Sequence, residues 1–212
     1  MLRVSNDVPR AMEFTTFSKV EGVSDEQLIN SVMRFEGQYM AHQEGIIFHC
    51  LVRNLSGDYA NLVFFDDMNS LNEFPKGFMS SEACQLFLKC VDKDTVKMHH
   101  HTIMKNNFVI PEFFSCFEHG TFAVKKDIGF TEEKLLSIST NLEKQYLDAF
   151  DNTLGHFIGK LDDGKYSELV FGKAFGRTRE ICFDYLGVDE GRQLIDLCEP
   201  QSSKLDFWYL IA

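Results

Sequence analysis

Residues 46–53, Ile-Ile-Phe-His-Cys-Leu-Val-Arg, are followed by a polar turn around Gly57 and by a second apolar run, Tyr59 to Phe64. That pattern predicts a β-hairpin, with glycine supplying the left-handed backbone of the turn. The same pattern returns at 153–171: TLGHFIGKLDDGKYSELVF stands in register with IIFHCLVRNLSGDYANLVF. Before each hairpin the apolar spacing changes to that of a helix. Leu28, Val32, Phe35 and Tyr39 form one stripe, and Leu135, Ile138, Leu142 and Tyr146 form its counterpart. Ser24 and Thr131 precede acidic first turns and are read as N-caps, with Gln27 able to complete a capping box and Lys134 not. Glu36, Glu143 and Lys144 are placed on the opposite, solvent-facing side of these helices.

The correspondence is gapless. At an offset of 107, residues 19–64 align with 126–171, and 13 of the 46 pairs are identical. They include Gly22/Gly129, Glu36/Glu143, Tyr39/Tyr146, His49/His156, Gly57/Gly164 and Tyr59/Tyr166. This is the signature of an internal duplication. Around the shared core each copy gains a first strand (about 13–19 and 117–125), a second helical region (80–91 and 189–198) and a last strand (95–105 and 204–211). The order is β-α-β-β-α-β, the ferredoxin-like split motif. The expected organisation is a first repeat at 1–105, a linker at 106–112 marked by Pro111, and a second repeat at 113–212.

A four-stranded sheet with both helices on one face leaves its other face to be buried, and the second copy is the natural partner. The expected class is therefore α+β: two tandem ferredoxin-like repeats packed sheet to sheet as an intramolecular α/β barrel. The element order, the length of each copy and the duplication resemble the dimeric α/β-barrel superfamily. That superfamily includes antibiotic-biosynthesis-type monooxygenases and haem-degrading or haem-binding relatives. The resemblance implies a site in a cavity between sheet and helices or within the barrel, and a chemistry that many members perform without a metal.

Strand alternation groups the polar residues of the hairpins. With the turn centred near Ser56, His49 stands opposite Val63, Leu51 opposite Asn61 and Arg53 opposite Tyr59. His49, Arg53, Tyr59 and Asn61 then share one face, and Phe48, Cys50, Val52, Ala60, Leu62 and Phe64 share the other. The wholly apolar face is expected to meet the helices, which turns the histidine face toward the barrel. His49 lies diagonal to Asn61, and His156 lies diagonal to Glu168. A carboxylate beside an imidazole fixes the tautomer and supports a general base. His156, Glu168 and His49 are the candidate catalytic residues, with Asn61, Tyr59, Tyr166, Arg53 and His119 as candidate substrate contacts. The same histidines also suit an interior structural role, satisfied by a facing polar group.

Composition narrows the function classes. A net charge of −11 gives no basic footprint for nucleic acid or for an anionic membrane surface. Twenty-one phenylalanines promise a substantial core and suit a small hydrophobic ligand. Six cysteines show no C-x-x-C spacing, as expected of buried thiols in a reducing compartment. No apolar leader opens the chain, so a cytoplasmic protein is expected, as monomer or homodimer. His99 and His101 could supply part of a metal site but lack a third ligand, so no metal is assigned. Dinucleotide, P-loop, serine-elbow and zincin motifs are absent. No motif requires a cofactor; haem enters only through the resemblance. The expected function is a small-molecule enzyme, either a cofactor-independent monooxygenase or a lyase/isomerase. The alternatives are a non-catalytic module for a hydrophobic ligand or haem, and an interaction scaffold.

Overall fold

The computed structural model of the protein describes residues 1–126 and 129–212. Two compact units divide it: residues 1–102 together with 210–212, and residues 103–209. Unit 1 contains β1 (Leu2–Arg3), β2 (Ala11–Lys19), α1 (Asp25–Gln38), β3 (Ile46–Asn54), β4 (Tyr59–Phe65), α2 (Met68–Glu73), α3 (Glu82–Leu88) and β5 (Val91–Ile103), whose last residue falls to unit 2. Unit 2 repeats the plan with β6 (Cys116–Phe122), α4 (Glu132–Gln145), β7 (Thr153–Leu161), β8 (Tyr166–Gly172), α5 (Phe175–Phe183), α6 (Asp189–Leu197) and β9 (Lys204–Leu210). The strand orders β3-β4-β2-β5 and β7-β8-β6-β9 are the ferredoxin-like order, with antiparallel pairing along the registers β2–β4, β3–β4, β6–β8 and β7–β8. The short β1 adds to β3 at the edge of unit 1.

Local chemistry explains the boundaries. The Ser24 hydroxyl accepts from the Gln27 amide, and the Gln27 side chain accepts from the Ser24 amide, closing the capping box. Thr131 caps α4 through its hydroxyl alone. Gly57 at φ 97° and Gly164 at φ 80° make the hairpin turns, where a side chain would be strained. The register read from alternation is observed: His49 faces Val63, Leu51 faces Asn61 and Arg53 faces Tyr59.

The faces are reversed from the sequence reading. Leu51, Tyr59 and Val63 pack in one core with Leu28, Val32 and Phe35 of α1, so the histidine face meets the helices. The wholly apolar face lies on the other side and is equally buried. Polarity contrast misleads here because both faces of the hairpin are buried. His49 is admitted beneath α1 because Glu36, expected to face solvent, turns inward to meet it. In unit 2 the far face of the sheet is covered by Phe108 and Phe114. Phe108 packs tilted against Phe157 with ring centroids 4.5 Å apart, and Phe114 meets Phe171 edge-on at 5.0 Å. The 106–112 segment thus contributes to the core.

Candidate active site in the second unit

Each unit carries one buried polar layer between sheet and helices. Its members come from four elements. The first strand supplies Glu13 or Glu118, which face Val63 and Val170 respectively. The long helix supplies Glu36 or Glu143, the second strand His49 or His156, and the third strand Asn61 or Glu168. The last three pairs keep the offset of 107, whereas Glu13 and Glu118 differ by 105 (118 − 13). That two-residue shift hides the first pair from a gapless alignment.

In unit 1, His49 Nδ1 lies 2.8 Å from Glu36 Oε1 and its Nε2 lies 3.1 Å from Asn61 Oδ1. Burial pushes the Glu36 carboxyl upward, but the hydrogen bond and charge of His49 outweigh it and hold Glu36 below the ordinary carboxylate range. Glu13 accepts a hydrogen bond from the Thr15 hydroxyl at 2.9 Å, and His100 Nε2 stands 3.6 Å from its other oxygen.

Unit 2 departs from this pattern at three places. Glu168 replaces Asn61, so His156 Nε2 meets a carboxylate oxygen at 3.0 Å. Tyr185 donates to the same Glu168 oxygen at 3.1 Å. Gly120 replaces Thr15, which leaves Glu118 no hydroxyl to bond. A Cβ at Gly120 would come within 2.7 Å of Glu118 Oε1, so the carboxyl occupies the space a side chain would take. Glu118 is 1% exposed, and among the described residues neither of its oxygens has a hydrogen-bond partner.

The protonation states follow. Burial, and then the negative charge of Glu168, push Glu118 well above the carboxylate range and favour its protonated form. His156 is fully buried, which disfavours its charged form, but the carboxylates of Glu143 and Glu168 outweigh burial and raise its pKa. Glu143 lies 3.6 Å from His156 Nδ1 and accepts from Lys105 at 2.5 and 2.7 Å. Burial opposes its ionisation; His156 and Lys105 nevertheless bring it down to about 2.

A cavity of about 300 Å³ opens over this layer, with Glu118, Glu168 and Tyr185 in its wall and Cys182, Phe122 and Leu194 around them. Burial raises both the Tyr185 hydroxyl and the Cys182 thiol well above their ordinary values, so both stay protonated. Among the described residues the lining includes Glu168 but not His156, which stands behind it.

The remaining candidates fall elsewhere. The Tyr59 hydroxyl donates to Asp25 at 2.7 Å and Arg53 pairs with the same carboxylate at 3.0 Å; Tyr166 donates to Glu132 at 3.1 Å. These contacts pin the hairpins to the first helical turns. Alternation on β6 sends His119 to the face opposite Glu118. Asn61 lines a cavity of unit 1. Glu118 is the residue the sequence reading passed over. The adjacent Glu-His pair presents one residue to each face of this strand, and only His119 is carried forward as its interior polar residue. Among the described residues, no cluster of three or more His, Cys, Asp or Glu could hold a metal, and no helix is long and apolar enough to cross a membrane.

No protein-family model matches the sequence, and no curated protein is significantly similar to it. Solved structures are similar. A monooxygenase-like protein of Fusobacterium nucleatum superposes with a TM-score of 0.68 at 9% identity, over 96% of this chain and 93% of that one. An anthrone oxidase-like protein gives 0.62 at 10% identity, over 100% and 95%. A haem-binding protein of Thermus thermophilus gives 0.58 at 8% identity, over 100% and 95%. Likeness at this identity shows the fold alone: the chain has the dimeric α/β-barrel fold, written as a tandem ferredoxin-like duplication.

Proposed function

We propose that unit 2 is an acid–base site for a small, largely apolar organic molecule, with Glu168 as proton acceptor and Glu118 as proton donor. The observation that carries this reading is Glu118: a buried carboxyl with no hydrogen-bond partner among the described residues, in the wall of an apolar cavity beside a second carboxyl group. Two neighbouring carboxyls held in different surroundings can divide the acid and base roles between them. A cavity of about 300 Å³ suits a compact ligand. For a ketone, the proton next to the carbonyl passes to Glu168 while Glu118 protonates the carbonyl oxygen, giving the enol; the reverse transfers restore the ketone or its isomer. His156 and Tyr185 act as positioning residues that hold Glu168 by its Oε1 atom.

The same deprotonation supports a monooxygenase reading, which the monooxygenase-like and anthrone oxidase-like neighbours favour. With dioxygen as oxidant, a CH2 group beside the carbonyl becomes C=O and the reduced oxygen atom leaves as water. Haem does not fit the repeated histidines. Both ring nitrogens of His49 are hydrogen-bonded, and His156 is enclosed between two carboxylates.

The test is proton exchange in D2O, with 2-tetralone as the carbon acid and NMR as the readout. Wild-type protein is expected to accelerate C–H to C–D exchange. Glu168→Gln is expected to lower that acceleration on the order of 100-fold, the usual contribution of a placed acid or base. Exchange by folded Glu168→Gln at the wild-type rate overturns the assignment.

A further inference from the structure

Unit 1 contains a cavity of about 310 Å³, nearly the volume of its counterpart. It occupies the equivalent place, over Glu13, Asn61 and Val63 where unit 2 has Glu118, Glu168 and Val170. We propose that this cavity is a second binding site, which holds a neutral apolar molecule bearing a carbonyl or hydroxyl group and does not turn it over.

Its floor argues for the polar end of such a ligand. Glu13, Thr15 and Asn61 are all buried. One end of the Asn61 amide is held by His49, and among the described residues the other end has no hydrogen-bond partner. An amide offered to a cavity fits a neutral hydrogen-bonding group. The Glu13 carboxyl beside it disfavours an anionic one. The walls argue for the apolar body: Phe35, Phe74 and Phe87 enclose the floor. The rim is apolar as well. Met79, Val96 and Met98 are exposed at 66%, 38% and 52% and line this cavity. Phe183, Leu186 and Leu205 do the same for the cavity of unit 2. Large apolar side chains left in water at the mouths of two cavities mark ligand entries.

The absence of turnover follows from the same residues. An amide takes no proton at neutral pH, so Asn61 cannot do what is assigned to Glu168. Thr15 satisfies an oxygen of Glu13, whereas Gly120 leaves Glu118 bare. The duplicated chain would thus keep binding in both halves and acid–base chemistry in one. The binding rests on the cavity of unit 1 alone, and the absence of turnover rests on the acid–base roles proposed for unit 2.

Prodan, a neutral naphthalene ketone whose fluorescence reports an apolar site, is a suitable probe. Titration of the intact protein is expected to give two sites per chain. Val96→Trp narrows the mouth in unit 1 and should remove one site. Leu186→Trp in unit 2 should remove the other. Both positions are exposed, and circular dichroism checks that each variant folds. A single site abolished by Leu186→Trp and unaffected by Val96→Trp sinks this inference and leaves the unit-2 reading standing. A single site abolished by Val96→Trp alone supports the inference and counts against ligand binding in unit 2. Absence of any binding overturns it.

Discussion

Glu118 is a costly residue to keep. A buried polar group without a hydrogen-bond partner loses its hydration and gains nothing in return. Replacement by leucine, of similar size, is expected to stabilise the protein by about 1–3 kcal/mol while removing the proton donor. Thermal denaturation should show a raised Tm together with lost 2-tetralone exchange; a lowered Tm would mean that the carboxyl has a partner it needs. Glu143 behaves in the opposite sense. Its folded pKa lies near 2 against an ordinary 4.5, so the stability it contributes is present above pH 4.5 and is lost as pH falls toward 2. Solvent reaches this pair and screens it, so the contribution is about 1–2 kcal/mol, shared with His156 and Lys105. His156 has a raised folded pKa, so its share is complete below its ordinary 6.5 and is lost as pH rises through the folded value. Urea unfolding across pH 2–5 should show a steep acid limb that Glu143→Gln flattens; an unchanged limb would place the acid sensitivity elsewhere.

At the scale of elements, one of the three differences between the polar layers lies at a single strand position. Thr15 on β2 bonds Glu13, and Gly120 on β6 leaves Glu118 bare. Gly120→Thr should rebuild the hydroxyl–carboxyl contact, since the crowding falls on the movable end of Glu118. The Glu118 pKa is then expected to drop, as carboxyl 13C NMR would show, and exchange activity to fall with it. An unmoved Glu118 resonance would reject the equivalence of the two strands. The same strands show how far the sequence could be read. The repeated Leu-Val-Phe and turn glycines gave the hairpin register, and register placed His49 diagonal to Asn61 and His156 diagonal to Glu168. Both contacts are formed, at 3.1 and 3.0 Å. Two things stayed hidden. A hairpin buried on both faces carries no polarity signal to say which face meets the helices, so Glu36 and Glu143 were read as solvent-facing. The two-residue shift between β2 and β6 also broke the alignment that would have paired Glu13 with Glu118. The helical stretches 68–80 and 175–187 were missed for a related reason: they include 3-10 turns, which do not keep the 3.6-residue period.

At the scale of the molecule, the duplication explains why one chain can hold two similar cavities with different polar floors. Once copied, the layer in one half can lose a proton acceptor without costing the other half its chemistry. The ends of the chain do not follow the copies so simply. β9 belongs to unit 2 up to Tyr209, yet residues 210–212 belong to unit 1. There the Leu51 amide donates to the Ala212 carbonyl at 2.8 Å, and the Ile211 amide donates to the Leu51 carbonyl at 3.0 Å. Ile211 and Ala212 also pack against the apolar core of unit 1. These bonds hold β3 at the residue next but one to His49, so the polar floor of the unit-1 cavity depends on the last two residues. Deleting Ile211 and Ala212 removes three backbone hydrogen bonds to Leu51, the third from the Ala212 amide to the Leu51 carbonyl at 3.2 Å, and some apolar burial. It should weaken the local stability of β3 by about 1–3 kcal/mol, given net values near 1 kcal/mol per bond. Amide hydrogen exchange would read this directly: the Leu51 amide should exchange at least about tenfold faster in the deletion variant, while the amides of β8 in unit 2 keep their protection. Equal acceleration in both units would show that the chain end supports the molecule as a whole, and an unchanged Leu51 amide would show that it supports neither.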